Sequence, residues 1–276
     1  MKLAWATDIH LDCVENSEDA INKLRNEATS ADVLVVSGDI SVGHSIVKHL
    51  NLLENALQKP IYFVLGNHDY YFSDILSVRK RVADECRNLS FCKYLGAMPF
   101  IKLGPHSVMI GSDGWYDAYN GEPALSQFIM SDWIKIADFQ PAIKNNFLGK
   151  QINTDIVSQI AREICKASVA HIVRGINAVS QRVDNIVIVT HVPPFKETYV
   201  SEKYKDIPPS HVIPWYTSRT MGEMLKTAAK TYPHIQFTVL SGHTHSSFEG
   251  DILPNLHAKV GKSQYGAPQI SGYIDI

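Results

Sequence analysis

Short apolar runs alternate with amphipathic stretches along the first third of the chain. Residues 3–7, 33–36 and 61–65 form the apolar runs, which are typical of strands covered on both faces. Residues 16–30 and 46–57 carry apolar side chains at helical spacing instead, and Asn16 or Ser17 can cap the first of these helices. Strands that alternate with helices form βαβ units, so this region predicts a largely parallel sheet.

The same rhythm returns after a less regular middle. Apolar runs on both sides of Gly104-Pro105 predict an antiparallel hairpin, and residues 115–149 show only weak periodicity. Residues 154–183 predict one long helix, or two helices broken near Ser168. The later predicted elements are a strand at 186–189, a helix at 221–231, a strand at 237–240 and short closing strands within 258–276.

Composition places the chain among soluble globular proteins. Of 276 residues, 45% are apolar and 20% are charged, and the net charge of −2 argues against a protein that binds long nucleic acids. No linker-like stretch is present, so we expect one domain over 1–276 with an insertion at about 115–183.

The four cysteines form no C-x-x-C pair, which argues against a zinc finger, a thioredoxin-like motif and a disulfide framework. Without a signal peptide or an apolar run of membrane length, we expect a cytoplasmic protein with no membrane partner.

Five predicted strands end in side chains that bind metals or transfer protons. The carboxyl ends of strands form the ligand crevice of α/β sheets, so we expect these side chains to converge. Asp8 and His10 lie two residues apart, and extended backbone would direct both to one side, as it would His243 and His245. The five strand-end sequences are Asp8-Ile9-His10, Gly38-Asp39, Gly66-Asn67-His68-Asp69, Thr190-His191 and Gly242-His243-Thr244-His245.

Each motif also has an ordinary interpretation when taken alone. A lone histidine such as His191 is usually a surface or core residue, and Asp39 could cap the following helix. Residues 67–69 could form a turn, and residues 242–245 could form a polar loop. These ordinary interpretations would have to hold independently at five places.

The other histidines are expected to be surface or packing residues: His44, His49, His106, His171, His211, His234 and His257.

The series D-x-H, G-D, G-N-H-D, a lone histidine after a strand and G-H-x-H resembles the calcineurin-like metallophosphoesterase superfamily, over residues 8–245. The resemblance implies an α/β fold, a four-layer α-β-β-α sandwich of two sheets flanked by helices. Residues 40–43 lack an acidic residue that some relatives carry there, which weakens any assignment to a subgroup. The resemblance implies a first divalent metal ion on Asp8, His10 and His245, a second on Asn67, His191 and His243, and Asp39 as a bridge between them.

The implied chemistry is hydrolysis of a phosphate monoester or diester. All seven donors offer nitrogen or oxygen, so two ions of Mn, Fe, Zn or Ni are plausible. A hydroxide bridging the metals would attack phosphorus. The resemblance assigns His68 as the general acid that protonates the leaving group, with Asp69 or another carboxylate holding its tautomer.

Two alternatives stay open: a non-catalytic metal-binding or protein-binding scaffold of the same fold, and a nuclease for short DNA or RNA. The near-neutral charge favours a small phosphate ester, a nucleotide or a phosphoprotein as the substrate over long nucleic acid. Aromatic rings that flank the motifs could stack on a base or could simply pack the insertion onto the sheet. These rings are Tyr70, Tyr71, Trp115, Tyr116 and Phe195.

Overall fold

The computed structural model describes residues 1–126, 128–146, 149–200 and 204–276. Its helices, in chain order, are α1 (Ser17–Glu27), α2 (Ile46–Leu57), α3 (Ile75–Glu85), α4 (Ser131–Lys135), α5 (Thr154–Val179), α6 (Pro209–Val212) and α7 (Arg219–Thr231). Its strands are β1 (Lys2–Ala6), β2 (Val33–Ser37), β3 (Ile61–Val64), β4 (Cys92–Tyr94), β5 (Ile101–Lys102), β6 (Ser107–Gly111), β7 (Ile143–Asn146), β8 (Gly149–Ile152), β9 (Asn185–Val189), β10 (Gln236–Ser241), β11 (Phe248–Leu253), β12 (Leu256–Val260) and β13 (Gly272–Asp275).

The strands form two large mixed sheets and a small hairpin. The first sheet has the order β13-β1-β2-β3-β4, in which β1 to β4 are parallel and the edge strand β13 is antiparallel to β1. The second sheet has the order β11-β12-β10-β9-β6-β5, in which four central parallel strands lie between antiparallel edge strands. The parallel strands of each sheet therefore deliver their carboxyl ends to one edge.

Alternation along the central strands explains why both faces of each sheet are apolar. Leu3 and Trp5 of β1 point into the space between the sheets, where they pack with Met109 and Val189 of the second sheet. The intervening residues of β1 point to the opposite face and pack on helices. Because both faces are covered, the strands read as continuous apolar runs rather than as alternating patterns.

Helices cover the two outer faces. Helices α1, α2 and α3 pack on the first sheet, and α7 packs on the second. Helix α5 is a single uninterrupted helix whose N-terminal half joins the first outer core and whose C-terminal half joins the second. The four layers confirm the predicted α/β sandwich.

Most of the predicted elements are present. Asn16, rather than Ser17, caps α1 by accepting hydrogen bonds from the main-chain N–H groups of Glu18 and Asp19. The hairpin at Gly104-Pro105 is formed by β5 and β6. The sequence patterns did not predict α3, β4, β11 or the β7–β8 hairpin. Within the described residues, no helix combines the length and apolarity that a bilayer crossing requires.

Candidate metal centre

Four predicted ligands form a tight group where β1, β2 and β10 end. Asp8, His10, Asp39 and His245 place their metal-ligating atoms within 4.8 Å of one another. His245 Nε2 lies 3.3 Å from His10 Nε2 and 3.3 Å from Asp8 Oδ1. Thr7 Oγ1 and the main-chain N–H of His243 donate to the Asp8 carboxylate, which fixes its orientation.

The other three predicted ligands form a second group beside the first. Asn67 Oδ1 lies 2.9 Å from His191 Nε2 and 2.9 Å from His243 Nδ1. All three residues are buried. They come from the loops that follow β3, β9 and β10, so the strand ends converge as expected.

The hydrogen bonds behind these two imidazoles leave their inward nitrogens without protons. His191 Nδ1 donates to the Ser37 carbonyl at 2.9 Å, and His243 Nε2 donates to the Trp215 carbonyl at 3.2 Å. The nitrogens that face Asn67 Oδ1 then carry lone pairs, as the amide oxygen does. Three acceptor atoms that meet without a donor among them fit a bound cation.

Asp39 lies between the two groups. Its Oδ2 is 3.7 Å from His10 Nε2 in the first group, and its Oδ1 is 3.4 Å from His191 Nε2 in the second. One carboxylate thus presents one oxygen to each group. The structure brings all seven predicted ligands together around Asp39, and their binding of metal stays a prediction.

The backbone at the ligands differs from our expectation. We predicted extended backbone at Asp8 and His10 and at His243 and His245, and this was wrong. Their φ angles are 49°, 39°, 68° and 57°, in the left-handed region that residues other than glycine rarely adopt. Asp39 shares this conformation with a φ of 53°. Such conformations cluster at functional sites, where surrounding contacts hold them.

Two glycines allow the loops to approach this closely. A Cβ atom on Gly66 would collide with the Asp39 carboxylate, and a Cβ on Gly242 would collide with Asp8 and Thr7. Any larger residue at either position would therefore displace a predicted ligand.

Burial sets the electrostatics of the site. It lowers the pKa of His10 to about 3, and it lowers the pKa of His243 to about 3, with a further contribution from His191. These imidazoles are therefore neutral at neutral pH, which is the form that binds metals. Burial, together with the nearby Asp8 charge, raises the pKa of Asp39 well above its usual value. A cation between the carboxylates would remove that penalty.

The two predicted catalytic residues lie beside the ligands in different environments. His68 Nε2 is 4.0 Å from Asp39 Oδ2, and the His68 main-chain N–H donates to Asp39 Oδ1 at 2.9 Å. Asp69 is fully buried, and its carboxylate accepts hydrogen bonds of 2.8 Å from the main-chain N–H groups of Ser41 and Gly66. Asp69 thus joins the loops that carry Asp39 and Asn67. Its part in holding the His68 tautomer stays a prediction.

A side chain that no sequence motif marks orients Asn67. Asp132 Oδ1 accepts a hydrogen bond of 2.8 Å from Asn67 Nδ2 and another of 2.8 Å from the Tyr71 hydroxyl. The first bond turns the amide oxygen of Asn67 toward the two histidines. Asp132 lies in the short helix α4 inside the irregular segment, so no local motif marked it.

A cavity of about 480 Å³ opens beside the two ligand groups. Asp39, Asn67, His68, His243 and His245 lie at its base. Of the aromatic rings that flank the motifs, only Tyr71 lines this cavity; Tyr70, Trp115, Tyr116 and Phe195 are buried in the apolar cores, as packing residues. A different aromatic wall is present, formed by Phe128, Tyr204 and Tyr216.

Solved structures share this fold at low sequence identity. Phosphopantetheinyl hydrolase from Mycobacterium tuberculosis is 14% identical, with a TM-score of 0.65 over 96% of this chain and 90% of that chain. A dimetal phosphatase from Danio rerio is 13% identical, with a TM-score of 0.56 over 95% and 87% of the two chains. The TT1561 protein of Thermus thermophilus is 13% identical, with a TM-score of 0.52 over 95% and 88%. No curated protein matches the chain by sequence.

The family model for calcineurin-like phosphoesterases matches residues 1–247, which include all seven predicted ligands and His68. Together with the Asp/His group, this match supports a metal-dependent phosphoesterase in general. The resemblance suggested by the strand-end motifs is thereby confirmed, and the chain belongs to the calcineurin-like phosphoesterase family.

Proposed function

We propose that this chain hydrolyses a small phosphate ester with two divalent metal ions that share Asp39. The observation that carries the proposal is the placement of the Asp39 carboxylate, which directs Oδ2 toward His10 and Oδ1 toward His191. A shared carboxylate would hold two ions close enough to act on one phosphoryl group.

In this proposal each ion has three ligands besides Asp39. Asp8, His10 and His245 would hold the first ion, and Asn67, His191 and His243 would hold the second. The nitrogen and oxygen donors suit Mn, Fe, Zn or Ni. When bound, the two ions would lower the pKa of a water molecule and neutralise charge on the phosphoryl oxygens.

His68 is the proposed general acid. Its side chain is 18% exposed and lines the cavity, so its Nε2 can reach the oxygen of a departing alcohol. Burial, together with neighbouring imidazoles, lowers the pKa of His68 to about 2. A phosphate ester would bring negative charge against the ring, and that charge favours the protonated form that an acid needs.

Asp69 is proposed to position His68 through the main chain. By accepting from the N–H groups of Gly66 and Ser41, its carboxylate joins the two loops on which His68 and Asp39 lie. This arrangement supports a role for Asp69 as a residue that positions His68.

The cavity favours a small substrate. Its volume of about 480 Å³ is typical of a pocket for a small molecule. The Tyr216 ring is tilted by 36° from the His243 ring, with ring centroids 5.0 Å apart, so the aromatic wall begins directly beside the second ligand group. We therefore propose an ester whose alcohol is planar or apolar, such as a nucleotide or another organic phosphate.

The two alternative functions gain less support. A nuclease needs several cationic side chains along its groove, and Lys262 is the one lysine or arginine among the described residues that line this cavity. A non-catalytic scaffold does not need both ligand groups together with His68, and all three are in place here.

A substrate panel tests the proposal. Phosphomonoesters, cyclic and linear phosphodiesters, phosphopeptides and oligonucleotides would be assayed with added Mn²⁺ and with chelator. We expect metal-dependent hydrolysis of at least one small ester, with Asp39→Asn and His243→Ala abolishing it. Hydrolysis that persists in chelator, or that these two variants retain, would contradict the proposal.

A further inference from the structure

The segment at residues 261–266 reaches the cavity from outside the family match, which ends at residue 247. It connects β12 to β13, and it contributes Lys262 and Tyr265 to the cavity lining. The family match therefore assigns no role to these two side chains.

The segment is attached to the ligands themselves. Ser263 Oγ donates to the main-chain carbonyl of Asp8 at 2.6 Å, and the Ser263 N–H donates to the carbonyl of His245 at 3.4 Å. Gly261 N–H donates to the Ser241 carbonyl at 2.9 Å. These bonds fix the position of the segment relative to the first ligand group.

Tyr265 lies over that group. Its ring centroid is 4.4 Å from that of His10 and 4.8 Å from that of His245. Its hydroxyl is 3.4 Å from His68 Nε2. At this separation the hydrogen bond is weak, so the hydroxyl proton can turn to a stronger acceptor that lies beside the two side chains. Tyr265 is 48% exposed, which leaves its hydroxyl accessible from the cavity.

We infer that Tyr265 is a substrate-binding residue whose hydroxyl donates a hydrogen bond to an oxygen of the substrate's phosphoryl group. The inference rests on the proposed function for the identity of this ligand. Lys262, which has no ion-pair partner among the described residues and belongs to the same segment, adds positive charge to the cavity lining. A hydroxyl beside a cation and the proposed metal ligands suits an anionic oxygen.

Binding of inorganic phosphate tests this role without requiring turnover. Isothermal titration calorimetry on the Mn²⁺-loaded protein would compare wild type with Tyr265→Phe, which removes only the hydroxyl. We expect the phosphate Kd to rise about tenfold, the effect of losing one hydrogen bond to a charged group. Tyr119→Phe is the matched control, since Tyr119 is also 48% exposed but does not line this cavity, and its Kd should equal that of wild type.

A parallel Mn²⁺ titration separates substrate binding from support of the metal ligands. We expect Tyr265→Phe to bind Mn²⁺ as wild type does. The inference would be overturned if Tyr265→Phe left the phosphate Kd unchanged or lost affinity for Mn²⁺. It would also be overturned if the wild-type protein bound no phosphate. If Tyr265→Phe weakens phosphate binding but the wild-type protein hydrolyses no ester of the panel, the inference is supported and the proposed function is contradicted.

Discussion

The carboxylate of Asp132 holds the amide of Asn67 through a hydrogen bond of 2.8 Å between Oδ1 and Nδ2. The two residues lie 65 positions apart, and both are buried. Because the amide nitrogen is occupied by this bond, the amide oxygen faces His191 and His243. Asp132 therefore acts on the proposed second metal through Asn67.

Replacing Asp132 by alanine should weaken the second metal site. Without its acceptor, the Asn67 amide can rotate and present its nitrogen, which does not bind metals. Loss of such an orienting partner typically lowers metal affinity about 10- to 100-fold. Calorimetric titration with Mn²⁺ should show one site near wild-type affinity and one weakened site.

Tyr71→Phe is the control for this prediction. It removes a neighbouring donor to Asp132 but keeps the bond between Asp132 and Asn67, so its effect should be smaller. Two Mn²⁺ sites of wild-type affinity in Asp132→Ala would show that Asn67 needs no such partner.

His68→Ala should affect substrates according to their leaving groups. An alkyl phosphate needs its departing oxygen to be protonated, so kcat/KM should fall about 10²–10⁴-fold. An aryl phosphate with an activated leaving group depends much less on protonation of its departing oxygen, so its kcat/KM should fall far less. Steady-state kinetics on the two esters would check the difference, with His44→Ala, an exposed histidine outside the cavity lining, as the control. Equal losses on both esters would count against His68 as the acid.

Acidification should destabilise the metal-free protein through its buried histidines. Burial lowers the pKa of His243 from 6.5 to about 3, so between these pH values the unfolded chain binds a proton that the folded state excludes. Stability therefore falls as the pH drops below about 6.5. On acidification, the free energy of unfolding of His243→Gln should fall less steeply than that of wild type, by about 1.4 kcal/mol per pH unit.

Urea unfolding of the metal-free proteins at several pH values would measure this difference. His10→Gln should behave in the same way, because burial also lowers the pKa of His10 to about 3. Parallel stability curves for wild type and both variants would mean that these imidazoles are not held neutral.

Asp113 should contribute strongly to stability. Its Oδ2 accepts hydrogen bonds from Arg79 Nε at 2.8 Å and from the hydroxyls of Tyr70 and Tyr94 at 2.6 Å and 2.7 Å. Asp113→Ala would leave these donors without their acceptor, at a cost of about 3–5 kcal/mol in the free energy of unfolding. Urea denaturation would measure this loss of stability. The control is Asp84→Ala, which breaks only exposed ion pairs, and its stability should stay close to that of wild type. Equal stabilities of the two variants would contradict this role.

The convergence of the seven candidate ligands could be predicted because the sequence signals that mark them are local. Each apolar run forms a parallel strand, and the polar residue that follows it must lie at the carboxyl edge of a sheet. Asp39 and His191 could therefore be placed at the site without knowledge of any contact between them. The alternation of strands and helices predicted a largely parallel sheet, and the family resemblance implied the sandwich of two sheets.

The features that escaped prediction depend on contacts between distant segments. Asp132 lies in an irregular segment whose path is set by packing, and Tyr265 lies on a loop fixed by bonds to Asp8 and His245. The left-handed backbone at Asp8 was also missed, because residue spacing describes regular strands and not the turn after one. Helix α3 follows soon after the motif at residues 66–69, and its pattern was not recognised.

In the proposed site, the carboxylate of Asp39 lies between two cations. The most direct test is a crystal of the protein soaked in Mn²⁺, with anomalous difference density measured at the manganese edge. We predict two peaks per chain on either side of Asp39, one among Asp8, His10 and His245 and the other among Asn67, His191 and His243. A single peak, or peaks away from Asp39, would contradict the account.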